Sequence, residues 1–227
     1  MKLKALLRGD VRFQYKYGFY FLYLLLSVLY VAVLFSLPAA WRQKAALLMI
    51  FSDPAAMGLY FMGAIVLFEK GERVLDSLAV SPAGAGVYAL SKLVSIALIS
   101  TAAGLAIGLA GGVVFHGLFF AAGVFLCSCL FSAVGLMLAS RAVTLNGFIL
   151  ATIPAEILIN LPAVGYLFGW RKPWLIGHPG VCMIELCEYG PLAAPALLIL
   201  TVWTALFTAL AERFARRMLS ELGGVKL

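Results

Sequence analysis

Apolar residues run unbroken for about 20 positions at a time along most of this chain, long enough at 1.5 Å per residue to cross a hydrocarbon slab of roughly 30 Å. The runs expected to span are Gly18 to Leu37, closed by Pro38; Ala45 to Phe68; Leu93 to Phe115; Leu118 to Ser140; Val143 to Phe168, with Pro154 and Pro162 inside it; and Pro191 to Ala211. They are continuous and do not alternate with period two, which argues for six helices and against a barrel. Ahead of the first run, residues 1–16 place Lys4, Arg8, Arg12 and Lys16 four apart on a helix, with Leu3, Leu7 and Val11 on a neighbouring stripe. That is the pattern of an interfacial helix, its basic face among anionic headgroups and its leucines in the acyl boundary. A basic tail that only enforces topology is the other reading of the same residues. No small-x-small cleavage site follows the first run at Ser36 to Trp41, so the segment is expected to be retained.

The 227 residues are 64% hydrophobic and 12% charged, far from the roughly half apolar, quarter charged balance of soluble domains. The class is therefore all-α integral membrane, and a water-soluble core is excluded. Of the 17 lysines and arginines, all but Arg42, Lys44, Arg171 and Lys172 fall on one side of the expected spans. By the positive-inside bias both termini and the segment after the second span are cytoplasmic, in a multi-pass protein of the cell membrane. The net charge of +7 is accounted for by this asymmetry and does not argue for nucleic acid.

One charged island, "FEKGERVLDSLAVSPAG" at residues 68–84, interrupts the apolar text. Glu69 and Arg73 stand four apart with the acid first, and Val74, Leu75, Leu78 and Ala79 share a face at helical spacing. Pro82 disfavours the α conformation at Ser81 and ends the piece. A short amphipathic cytoplasmic helix is expected, with a polar face of both signs that suits docking against a protein.

This stretch resembles the loop after the second span of ABC-2-type transporter permeases, where an acidic and basic run, a Leu–acid pair and a Ser/Thr-Pro occur in that order. Glu69, Lys70, Leu75, Asp76, Leu78, Val80, Ser81 and Pro82 fit that pattern. Arg73 and Val74 depart from it, since a Gly-Thr pair is more usual there, and Gly71 sits earlier instead. The likeness extends to the basic first helix, the six spans and a longer external segment before the last span that holds His178-Pro179. It is greatest toward drug-export permeases, including those labelled fluoroquinolone exporters. The resemblance implies a type V exporter-like permease that is not itself an enzyme, paired with a second permease subunit as homodimer or heterodimer. Two cytoplasmic ABC ATPase subunits would carry ATP and Mg, with no cofactor bound by this chain. Residues 69–86 would be the coupling helix, with Glu69, Lys70, Glu72, Arg73, Leu75, Asp76, Leu78, Ser81 and Pro82 meeting the ATPase. The sequence contains no G-x-x-x-x-G-K-[ST] phosphate loop, so energy comes from a partner or an ion gradient.

Ionisable groups at membrane depth face a bundle interior or an aqueous passage. Asp53, before Pro54 in the second span, and Glu156 and Asn160, four apart in the fifth, are therefore substrate-path candidates. A structural role in which Glu156 bonds Asn160 or another helix fits the same residues. Pro154 and Pro162 each remove a backbone hydrogen bond and can kink the fifth span. Residues 169–190 are too short in their apolar pieces to span and are expected to cap the outer exit as re-entrant or interfacial helices. Cys127 and Cys129 are expected as small packing residues rather than metal ligands. Cys182 and Cys187 face outward on this reading and are spaced so that pairing is open. His116 and His178 stand in no catalytic or metal arrangement, and no H-E-x-x-H occurs. Gly104, Gly108 and Gly112 repeat every four residues, which allows close helix packing. Two rivals remain at this level: an ion-coupled secondary transporter using Glu156 or Asp53, and a non-transporting membrane scaffold.

Overall fold

The computed structural model describes residues 2–52, 57–79, 84–114 and 116–222. Among these the secondary structure is helical throughout: α1 (Lys2–Lys16), α2 (Phe19–Ser36), α3 (Ala39–Ile50), α4 (Met57–Gly71), α5 (Val74–Ala79), α6 (Ala85–Gly111), α7 (Gly117–Arg141), α8 (Leu145–Leu167), a 3-10 turn at Pro173–Gly177, α9 (Pro179–Glu188) and α10 (Ala193–Leu222). Five of them, α2, α6, α7, α8 and α10, are long and apolar enough to cross a membrane. The second apolar run is divided between α3 and α4, with residues 53–56, Asp53 among them, outside the described residues. Ser81 and Pro82 also lie outside them. Two helices extend beyond the apolar runs that predicted them: α6 begins at Ala85 and α10 continues to Leu222.

At the centre stands α7, packed on α4, α6, α9 and α10. Inside a bilayer apolar surface gains little by leaving lipid, so close approach of small residues decides which helices associate. Gly135 of α7 lies against the Leu59 carbonyl of α4 with no room for a Cβ, and Gly58 of α4 rests on Ser128 and Ser132. Gly104 and Gly108 of α6 receive Val124 and Phe120 of α7, as their spacing predicts. The third glycine of that series has another task. Gly112 is the C-cap of α6 at φ 68, a left-handed conformation that costs glycine nothing, while Gly111 takes the packing role against Ala46 of α3.

The helix α8 runs unbroken through Pro154 and Pro162. Proline 162 cannot donate to the Leu158 carbonyl one turn back, and His178 Nε2, at the N-cap of α9, stands 3.2 Å from that oxygen. An imidazole N–H thus replaces the missing backbone donor and ties α9 to α8. Every residue from Pro179 to Cys187 is buried, with α7, α8 and α10 packed around them. Within the segment expected as re-entrant or interfacial helices, α9 is thus packed inside the bundle, while residues 169–174 are exposed.

Candidate functional site

One end of the bundle gathers α1, the end of α4, α5, the start of α6, the end of α7 and the end of α10, together with most of the arginines and lysines. Its centre is Lys92, only 2% exposed in α6. The ammonium donates to Asp10 Oδ1 of α1 at 2.8 Å and to Glu69 Oε1 of α4 at 2.6 Å, over the Tyr88 ring at 5.0 Å. The other two carboxylate oxygens also accept: Tyr88 Oη donates to Glu69 Oε2 at 2.8 Å and Ser91 Oγ to Asp10 Oδ2 at 2.6 Å. A turn further on, Gln14 Nε2 donates to Ser95 Oγ at 2.8 Å. One cation and two anions thus lock α1, α4 and α6 together. Buried charges persist only when each is paired and hydrogen-bonded, and here all three are.

The face of α1 that makes these bonds, Leu6, Asp10, Phe13 and Gln14, is neither the basic stripe nor the Leu3–Leu7–Val11 stripe. The basic residues Lys4, Arg8, Arg12 and Lys16 are exposed, as an interfacial helix requires. Asp10, Tyr88 and Lys92 escaped the sequence reading. The available signal was a lysine inside an apolar run flanked by Ser91 and Ser95, which needs an acid from somewhere.

The charged island divides into anchors and an outward face. Glu69 turns inward to Lys92 rather than pairing with Arg73, because α4 ends at Gly71 and Arg73 takes φ 57, which breaks the i,i+4 geometry. Lys70 Nζ donates to the carbonyls of Ala139, Ser140 and Ala142 at 2.8, 2.8 and 3.0 Å, capping the negative end of α7 with a cation. Glu72 Oε1 accepts from Tyr17 Oη at 2.7 Å, and this bond raises the Tyr17 phenol above its ordinary value. In α5 only Leu75 is fully buried, Leu78 and Ala79 are half-buried, and Val74, Asp76 and Ser77 face out beside Arg73.

Midway along the bundle the second constellation lies on the seam between α4 and α8. Glu156 is half-buried beside the Tyr60 phenol, which also meets Thr152. Asn160 is half-buried, and its Oδ1 accepts no hydrogen bond among the described residues. Through Tyr60, Glu156 reaches across to α4. Below this pair, the fully buried Phe148 of α8 presses its ring on the Gly63 α-carbon.

At the opposite end Tyr166 donates a short hydrogen bond to the buried Glu185 of α9. Arg171 pairs with Glu188 at 2.7 Å and lies 5.0 Å from the Tyr166 ring. Cys182 and Cys187 do not face outward: both are buried and free. Burial pushes the Cys182 thiol up to about 12 and raises Cys187 as well, so neither is poised to react. Cys127 and Cys129 are likewise buried in α7. His116 stacks on Tyr189 at 4.9 Å.

Comparison with known proteins bears on what these constellations serve. The model of the Fluoroquinolones export permease protein family matches residues 1–216. Two proteins from two strains of Mycobacterium tuberculosis, each named a fluoroquinolones export permease protein, are 29% identical to this chain over 177 residues, covering 77% of it and 74% of their own length. The matched length includes α1, the island, both sides of the α4–α8 seam and most of α10, and the chain belongs to the fluoroquinolones export permease protein family.

Proposed function

We propose that this chain is the six-span permease half of an ATP-driven ABC-2-type exporter, with α3 and α4 together making the sixth crossing. Two permease subunits would join two cytoplasmic ATPase subunits, which bind ATP and Mg, and the cargo would be small amphipathic compounds of the fluoroquinolone class. The basic end then faces the cytoplasm, as the positive-inside bias requires. The observation that carries the reading is the construction of the island. Glu69, Lys70 and Glu72 are bonded to α6, α7 and the α1–α2 turn, and through Lys92 to α1, while Arg73 and, on the six-residue helix after it, Val74, Asp76 and Ser77 are left facing out. A lever has this form: a small outward surface for the ATPase to grip, anchored to the helices that must move. Coupling through Glu69 and Lys70 would pass by way of their partners in the bundle, and direct contact with the ATPase falls to Arg73 and Asp76.

The test is ATP-driven uptake of a fluorescent fluoroquinolone into inverted membrane vesicles, with whatever co-purifies identified by mass spectrometry. Recovery of a phosphate-loop ATPase, and Asp76→Ala losing uptake while the two proteins still assemble with less stimulated hydrolysis, is the expected result. Uptake that follows a proton gradient without ATP and disappears in Glu156→Gln would replace this reading by the ion-coupled carrier.

A further inference from the structure

A cleft of about 680 Å³ opens at the basic end between the last turns of α4, the α7–α8 link and the end of α10. Its walls are apolar, with Leu67, Phe68, Val143, Leu145 and Met218 prominent, and two charged residues, Lys70 and Glu221, stand among them. The two interact electrostatically. They are not equivalent: the three protons of the Lys70 ammonium are occupied by the carbonyls that it caps, whereas Glu221 is exposed. A ligand entering here meets apolar walls and one available carboxylate. Cavities of roughly 300–1,000 Å³ with such linings are the usual size for drug-like molecules.

The cleft also lies at the foot of the α4–α8 seam. Tyr60, Ala64 and Phe68 follow one another at four-residue spacing along α4, and Phe148, Thr152 and Glu156 do the same along α8, so each set shares a helix face. Going from the cleft toward the Tyr60–Glu156 pair, the obstruction is Phe148, seated on Gly63 where no Cβ fits. A compound held between Phe68 and Leu145 stands about two to three helical turns from the polar pair deeper in the bundle, with Phe148 between them.

We propose that this cleft is the loading site of the permease, taking an amphipathic amine whose flat apolar body lies against Phe68 and Leu145 and whose ammonium meets Glu221, with Phe148 closing the way inward. The inference rests on the export reading and adds to it a place and a ligand chemistry. The binding measurement below does not depend on transport.

The assembled transporter in inverted vesicles is photolysed without ATP in the presence of an azide-bearing fluoroquinolone, and the labelled peptides are mapped by mass spectrometry. Label is expected within residues 64–71 or 142–145. Val143, 92% exposed, accepts a larger side chain without disturbing the core, and Val143→Trp is expected to remove the label and raise KM for ATP-driven uptake about tenfold with kcat retained, the mark of lost ground-state binding. Label confined to other segments, or Val143→Trp with both label and KM unchanged, would overturn the loading site, as would a tightly held acyl chain in the cleft that the probe fails to displace. Label at the cleft in wild-type vesicles that show no ATP-driven uptake would uphold the site and defeat the export reading instead.

Discussion

Lys92 shows how much a single buried charge organises. Replacing it by methionine leaves Asp10 and Glu69 facing each other without a cation, and breaking a buried pair in this way typically costs about 3–5 kcal/mol. Lys92→Met is expected to abolish recovery of folded protein in mild detergent, while Lys4→Met on the exposed basic stripe leaves it unchanged; size-exclusion profiles of the two read the difference. Arg73 offers a change of the opposite sign. A non-glycine residue at its φ of 57 carries a penalty of about 1 kcal/mol, and the resemblance places a glycine there. Arg73→Gly should therefore raise the melting temperature of the purified permease even if it weakens the hold of a partner. The island was legible as a helix with charges, yet the assignment of Glu69 to Arg73 failed because the four-residue rule assumes an unbroken helix. The true partner of Lys92 in α1 is 82 positions away, and no local rule reaches that far.

Long apolar runs announced the five spanning helices because length and continuity are enough to identify them. How those helices meet was legible only where glycines repeat. One approach of glycine to backbone, Gly135 on the Leu59 carbonyl, belongs to no repeat and was not foreseen. Gly135→Ala is expected to destabilise by about 1–3 kcal/mol, since a carbonyl cannot move aside as a side chain can. Gly104→Ala meets side-chain methyls alone, the nearest a Val124 methyl at 3.1 Å, and should cost much less; thermal unfolding of the two variants by tryptophan fluorescence decides it. The choice between a re-entrant and an interfacial α9 was also open in the sequence, because a ten-residue apolar helix reads alike as either. Its junction with α8 carries a pH dependence. Burial pulls His178 below its ordinary 6.5, and a second proton would sit on Nδ1, which finds no acceptor among the described residues. Released α9 binds that proton and docked α9 resists it, so docking is strongest above pH 6.5 and weakens as pH falls from there toward the lower docked value. Hydrogen exchange of residues 179–188 is expected to quicken at pH 5.5 relative to pH 7.5, after correction for the intrinsic rate, and to lose this dependence in His178→Gln.

The outward faces of α2, α8 and α10 are apolar, with Leu24, Leu158 and Val202 each well exposed, and a lipid environment satisfies most of that surface. Glu156 does not fit there. A carboxylate left half against acyl chains near the middle of a span costs about 2.5–3.5 kcal/mol on insertion scales, and Asn160 adds a carbonyl oxygen without a donor among the described residues. On the proposed assembly, a second permease subunit across α8 would remove both costs by enclosing the seam and any water within it, whereas α2 carries no comparable polar group and can remain in lipid. All four native cysteines are buried, so an introduced surface cysteine is the reactive thiol in the whole chain without any other change. Ile157→Cys, at a position 58% exposed on α8, is expected to form a disulfide-linked pair of 24.4 kDa subunits when membranes are oxidised. Val28→Cys on α2, at 61% exposure, is expected to stay monomeric on the same gel. The reverse pattern would place α2 at the subunit boundary and Glu156 against lipid, and the path for cargo would then have to be sought along another pair of helices.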